Sequence, residues 1–241
     1  MKKPFKLKII PLKWDSAFFG LRIAKVYIST MDEADLLICQ QDDLRLKYDI
    51  IYVFSKSDVL FNASHSFLVD KKVTYKVDLG ESPCCNDNIV EYNNNYVSEE
   101  LKQLAIISGN YSRFKKDPLL PYRSYERLYT CWIEKSVNKE IATEVFCYMI
   151  DNLPRGLVTL NRESEGSTIG LVSTHPDFQH QGIGTKMLEY VKDYVYTGGG
   201  KTLTVVTQQQ NIKACHLYEK VGFLQTDIAN VWHWWLNCST K

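Results

Sequence analysis

The chain has 241 residues, 45 % of them hydrophobic, enough for one large buried core or two small ones. Its 29 Lys and Arg nearly cancel 28 Asp and Glu, so no surplus of either sign points to nucleic acid or a membrane surface. No apolar run approaches the roughly 20 residues of a membrane span, and with neither C-x-x-C nor H-x-x-x-H no metal site is expected.

The start, Met1 to Lys8, is basic, but Ile9 to Leu12 is too short for the apolar core of a secretory signal. Seven cysteines, scattered singly apart from Cys84-Cys85, suit reduced thiols in a cytoplasm better than a disulfide framework. Residues Lys6 to Val77 read as a small α/β unit. Within it Ala24 to Thr30 is strand-like, and Asp32 to Leu46 reads as a helix with an acidic first turn and apolar Leu36, Leu37, Leu44 and Leu46. Asp49 to Phe54 is a buried strand by its β-branched and aromatic content, and Lys72 to Leu79 alternates, with Val73, Tyr75, Val77 and Leu79 on one face. The polar stretch Gly80 to Asn95 marks a boundary, which divides the chain into an N-terminal domain 1–95 and a second domain 96–241.

In the second domain Ser98 caps a helix that Gly109 can end. Leu119-Leu-Pro121 introduces another, running to Val137, with Leu128, Cys131, Trp132 and Val137 as core candidates. Three strand-like runs follow, Glu144 to Ile150, Arg155 to Leu160 and Thr168 to Thr174; their polar turns predict an antiparallel meander. Thr185 to Tyr196 is a helix with Met187, Leu188, Val191 and Val195 on its buried face, and Gly198-Gly-Gly ends it. Leu203 to Thr207 reads as a strand, Asn211 caps a helix ending at Gly222, and Phe223 to Asp227 with Val231 to Leu236 reads as a hairpin. The alternating Trp232, Trp234 and Trp235 suit a core or a homodimer interface.

The most informative segment is Gln179-His180-Gln181-Gly182-Ile183-Gly184, between a strand and a helix. Two glycines in such a turn leave main-chain N–H groups accessible. The first-turn amides of the following helix are unpaired and carry the positive end of its dipole, so a diphosphate fits there. The dinucleotide pattern G-x-G-x-x-G lacks its first glycine, and the P-loop pattern fails because Thr185, not Lys, follows Gly184.

The spacing of Gln179, Gly182 and Gly184, followed about forty residues later by Asn211, Tyr218 and Gly222-Phe223, resembles the GNAT acetyltransferase superfamily. The resemblance implies an α/β (α+β) fold with a mixed, mostly antiparallel sheet and a V-shaped splay. It implies acetyl-CoA as cosubstrate, with the diphosphate at Gln179, Gln181, Gly182, Ile183, Gly184 and Thr185. Main-chain groups at Leu171 and Val172 and the side chain of Asn211 would meet the pantetheine arm, and Tyr218 would contact the coenzyme and protonate the leaving thiolate. Trp14-Asp-Ser-Ala-Phe-Phe-Gly20, Tyr111 to Pro118 and Tyr125 to Glu134 further resemble the TDP-fucosamine acetyltransferases, which act on the amine of a nucleotide-linked 4-amino-4,6-dideoxy sugar. On that resemblance Trp14, Asp15, Phe18, Phe19 and Arg113 are substrate-binding candidates. His175, at the strand end before the glycine turn, is the candidate base, since an imidazole titrates in the right range. A direct ternary-complex reaction is expected, because no Cys has a base beside it in sequence; Cys215 is the one to inspect. Two readings stay open: an acetyltransferase for another small amine or a protein amine, and an acyl-CoA-binding domain without turnover.

Overall fold

A computed structural model describes residues 7–81, 86–163 and 166–237. The pair Cys84-Cys85 and the basic residues Met1 to Lys6 lie outside them. The chain divides into two compact units that are not contiguous in sequence. The first comprises the N-terminal residues up to Lys72, residues 116–121 and those from Ile228 on; the second comprises Val73–Lys115 and Tyr122–Asp227. Residues 73–95, grouped with the N-terminal part by a linear division at residue 95, thus belong to the second unit.

The first unit opens with β1 (Ile10–Pro11), α1 (Lys13–Phe19) and β2 (Ile23–Ile28). Two helices follow, α2 (Met31–Cys39) and α3 (Gln41–Arg45), and then β3 (Ile50–Lys56). Sequence reading joins α2 and α3 into one helix. The chain breaks at Gln40 (φ −91°, ψ 6°), where Gln40, Gln41, Asp42 and Asp43 offer no apolar side chain to hold the helix on the core. Leu37 and Leu44 are buried, whereas Leu46 is exposed. β2 and β3 run parallel, and Asp49 ties their starts together by accepting from the amide and guanidinium of Arg22.

The C-terminal run is not a hairpin but one strand, β10 (Leu224–Trp235). No Gly or Pro breaks it between Asp227 and Val231, and the turn-forming side chain of Asn230 is otherwise engaged. Its Nδ2 donates to the carbonyls of Lys56, Ser57 and Val59 at 3.2–3.4 Å, while residues 229–235 pair antiparallel with β3 from Lys56 back to Ile50. Within this unit the strand order is β1-β2-β3-β10. Trp232 and Trp234 pack into its core with Phe61, Val53 and Leu37. A buried polar cluster sits beside them: Asp117 Oδ2 bonds His233 Nδ1 at 2.6 Å and accepts from Trp235 Nε1 at 3.0 Å.

The second unit contains the later part of β4 (Ser66–Asp78), then β5 (Ile89–Glu91), α4 (Glu99–Ser108), α5 (Arg113–Lys116) and α6 (Ser124–Val137). Next come β6 (Glu144–Ile150), β7 (Leu153–Arg162), β8 (Ser167–Thr174), α7 (Ile183–Thr197), β9 (Thr202–Gln208) and α8 (Ile212–Lys220). β5 lies inside the stretch read as a polar boundary, and buried Ile89 anchors it. Ser98 caps α4 by accepting from the Leu101 amide, as its position predicts. Of the α6 core candidates Leu128 and Val137 are buried, while Cys131 and Trp132 are half-buried and Ile133 takes the central place.

Strands β5 to β8 form the antiparallel meander, and β9 joins β8 in parallel. Within this unit the order is β4-β9-β8-β7-β6-β5. Helices cover both faces. A Cβ on Gly156 would meet Met187 Sδ of α7 at 2.6 Å, so that face is packed tightly. On the opposite face Ser173, registered with Leu157, donates to the Leu104 carbonyl of α4. The meander, the parallel fifth strand and the α7 crossover make this an α/β fold with a mixed, mostly antiparallel sheet.

Candidate functional site

The site begins with an irregularity in β8. Val158 pairs with Val172 and Leu160 with Ile169, so one residue of β7, Thr159, faces two of β8, Gly170 and Leu171. This bulge is fastened by the Leu171 amide donating to Thr159 Oγ1 at 2.8 Å. Gly170 is required there, because a Cβ would stand 2.7 Å from the same oxygen. The bulge coincides with the end of the β8–β9 ladder. Ser167, Thr168 and Ile169 pair with Leu203, Thr204 and Val205, and beyond that point the two strands no longer pair, which opens a V between them. Leu171 and Val172 lie on the β8 arm of the V, Leu171 buried and Val172 half-buried.

At the end of β8, His175 caps a 3-10 turn, Pro176–Phe178, with Nδ1 accepting from the Asp177 amide at 3.3 Å. His180 and Gly182 then adopt left-handed conformations (φ 62° and 78°), and α7 starts at Ile183. No side chain caps this helix. Its first internal bond runs from the Lys186 amide to the Gly182 carbonyl, and among the described residues no bond engages the amides of Ile183, Gly184 and Thr185. A Cβ on Gly182 would meet nothing within 4 Å, so the turn is open to its surroundings at that residue. A 15-residue helix thus presents three unpaired donors and its positive end to a cradle that an anionic group fits. Gln179 and Gln181 brace the loop from within, donating to the carbonyls of Thr174 and Asp177.

Gly184 joins the loop to α8. A Cβ there would lie 3.0 Å from Leu217 Cδ2 and 3.9 Å from Thr174 Oγ1, so the end of β8, the start of α7 and the middle of α8 meet at one point. Asn211 caps α8, its Oδ1 accepting from the Ala214 amide at 3.3 Å, which leaves Nδ2 as a donor. Tyr218 is buried on α8, its ring 5.7 Å from Tyr75 and 5.9 Å from Phe223. Burial, and to a lesser degree Cys215, push its phenol above the ordinary tyrosine range, so it holds its proton at neutral pH. Cys215 is buried and its Sγ donates to the Gln208 carbonyl at 3.8 Å.

Tyr75 is the neighbour that sequence reading did not assign to the site. Its hydroxyl donates to Glu219 Oε1 at 2.9 Å, binding β4 to α8 beside Tyr218. The only signal for it was its place on the apolar face of an alternating strand. The nearly buried carboxylate of Glu144 accepts from Arg162 at 2.6 Å and from Tyr194 at 3.3 Å, tying β6 to the end of β7 and to α7.

The remaining candidates belong to other elements. Trp14, Asp15, Phe18 and Phe19 belong to α1 in the first unit, where the Trp14 and Phe18 rings stack at 5.1 Å and Phe19 is buried. Arg113, in the second unit, lies 4.6 Å over the Phe114 ring. Among the described residues no three His, Cys, Asp or Glu side chains gather to hold a metal.

The acetyltransferase (GNAT) family pattern matches residues 107–223, the span that holds α6 through α8. The chain is 27 % identical over 231 residues to a dTDP-fucosamine acetyltransferase of Escherichia coli O6:H1, covering 91 % of this chain and 94 % of that one. It is 25 % identical over 138 residues to the spore coat polysaccharide biosynthesis protein SpsD of Bacillus subtilis, of which it spans about half (47 %). Among solved structures, a GCN5-related N-acetyltransferase from Sphaerobacter thermophilus superposes with a TM-score of 0.60 at 13 % identity, over 95 % of this chain and 76 % of that one. A protein from Staphylococcus epidermidis superposes with a TM-score of 0.63 at 14 % identity, over 98 % and 94 %. These two likenesses concern the fold alone. Residues 107–223 are therefore an acetyltransferase domain of the GNAT type, an enzyme family whose cosubstrate is acetyl-CoA.

Proposed function

We propose that the chain moves the acetyl group of acetyl-CoA to the amine of a nucleotide-linked amino-deoxy sugar of the TDP-4-amino-4,6-dideoxy-galactose type. The observation that carries this reading is the alignment over 91 % of the chain with a dTDP-fucosamine acetyltransferase, which includes the N-terminal half. The 36 % identity to a ribosomal-protein alanine acetyltransferase spans only 26 % of the chain. So short a match cannot speak for an acceptor.

In this reading the coenzyme diphosphate rests against the amides of Gln181 to Thr185, with Gln179 at the edge. Pantetheine lies in the V along Leu171 and Val172, and the Asn211 Nδ2 reaches it. Holding both substrates in one site supplies much of the acceleration. The amine nitrogen attacks the thioester carbonyl, the C–S bond breaks, and the sulfur takes the proton of the Tyr218 hydroxyl. A thiol has a pKa near 8.5 and burial lifts the phenol further above it, so the proton moves only as negative charge grows on sulfur. His175 is assigned the proton lost by the amine: its Nδ1, the unprotonated nitrogen that accepts from the Asp177 amide, takes that proton as it gives up the bond. Trp14, Asp15, Phe18, Phe19 and Arg113 are assigned to the acceptor, and a cytoplasmic setting follows from an activated-sugar substrate.

Purified protein with acetyl-CoA and dTDP-4-amino-4,6-dideoxygalactose is expected to release free thiol and give the N-acetyl sugar nucleotide, read by mass spectrometry. Turnover with a peptide N-terminus or a polyamine, and none with the sugar nucleotide, contradicts the acceptor assignment. Binding of acetyl-CoA with no thiol release against any amine contradicts catalysis.

A further inference from the structure

One cation near the candidate site, Arg155, forms no ion pair among the described residues. Arg155 is the extra residue of a second bulge, between β6 and β7, where Tyr148 pairs with Gly156 and the adjacent Met149 with Pro154. A bulged residue leaves the strict alternation of its strand, so its side chain can be re-aimed. Here the guanidinium lies 4.9 Å over the ring of Phe178, in the turn that leads into the glycine loop. Its main-chain carbonyl accepts from the His175 amide at 2.8 Å, so the residue is fixed at the C-terminal end of β8. Its Nε is buried with no hydrogen-bond partner, and among the described residues no carboxylate pairs with the group. A buried, charged donor without an acceptor is costly, and such a group calls for an absent anion or water.

We propose that Arg155 binds a phosphate group of one of the two substrates. This rests on the reading of the chain as a GNAT acetyltransferase but adds a residue outside the loop that the family pattern marks. The planar fork of a guanidinium suits a phosphate, and stacking on Phe178 holds the fork ready for it. Coenzyme A and a nucleoside diphosphate both offer that chemistry.

The test is calorimetric titration of the full chain and its Arg155→Gln variant with coenzyme A and, separately, with dTDP. A loss of about tenfold or more in one affinity, the weight of a hydrogen bond to a charged group, supports the proposal and names the source: the coenzyme if the first falls, the acceptor if the second does. Affinities within twofold of wild type for both, at an unchanged melting temperature, overturn it. Should Arg155→Gln unfold, Arg155→Lys decides on the same criterion, because it keeps the charge and loses the fork. Failure of the wild-type protein to bind coenzyme A would instead strike the acetyltransferase reading itself.

Discussion

Replacing Thr159 by Val tests whether the β8 bulge depends on one side-chain hydrogen bond. The Thr159 hydroxyl accepts from the Leu171 amide at 2.8 Å in a site where Thr159 is 2 % exposed. Valine keeps the branched shape but leaves that amide buried without an acceptor, at a cost of about 1–3 kcal/mol. For a domain of 150–250 residues each kcal/mol moves the melting temperature by about 2–4 °C, so a fall of about 2–12 °C is expected. Thr159→Ser keeps the acceptor and loses a methyl group, about 0.8 kcal/mol on the same scale. Thermal and urea unfolding of the three proteins measure the difference. Because the bulge sits where β8 leaves β9, Thr159→Val is also expected to raise the KM for acetyl-CoA more than it lowers kcat. A Val variant as stable as wild type, or less harmed than the Ser variant, refutes the assignment of the bulge to this bond.

Tyr218→Phe is expected to lower kcat by about 10²–10⁴, the usual weight of a general acid, with little change in acetyl-CoA affinity; an unchanged kcat at saturating substrates removes Tyr218 from the mechanism. Asn230→Ala strips three carbonyls of their shared donor in the first unit and is expected to cost about 1–3 kcal/mol in urea unfolding; a cost near zero would mean that strand pairing alone holds β10 straight. Burial pushes the Cys147 thiol up to about 12 and raises the Tyr218 phenol as well. Groups whose folded pKa is raised lend stability below their unfolded pKa and lose it as pH rises through the folded one. Stability should therefore decline from about pH 9 toward pH 12, and less so in Cys147→Ala relative to its own value at pH 7. Identical alkaline profiles would contradict this.

The parts of the second unit that obey simple periodicity were readable in advance. The face of Met187, Leu188, Val191 and Val195 is buried, and Ser98 and Asn211 cap their helices. The three meander strands lie where their polar turns separate them. What escaped was decided by partners distant in sequence. The straight course of β10 follows from Asn230 bonding residues about 170 positions away, and the break at Gln40 from the lack of an apolar side chain to dock. Both bulges reflect register between strands, which a single strand's alternation cannot reveal. Gly184 was marked by motif spacing, whereas Leu217 and Thr174, which close on it, were legible only as a helix face and a strand end. Tyr75 and Arg155 belong to no motif, and only their neighbours in space bring them to notice.

The account turns on main-chain amides at the start of α7 receiving the diphosphate of the coenzyme. Calorimetric titration of the full chain with coenzyme A and with pantetheine, which lacks that diphosphate, addresses it most directly. Saturable binding of coenzyme A, with pantetheine weaker by tenfold or more, the weight of about 1.4 kcal/mol, is predicted. Equal affinity for the two, or no heat with coenzyme A, would contradict it.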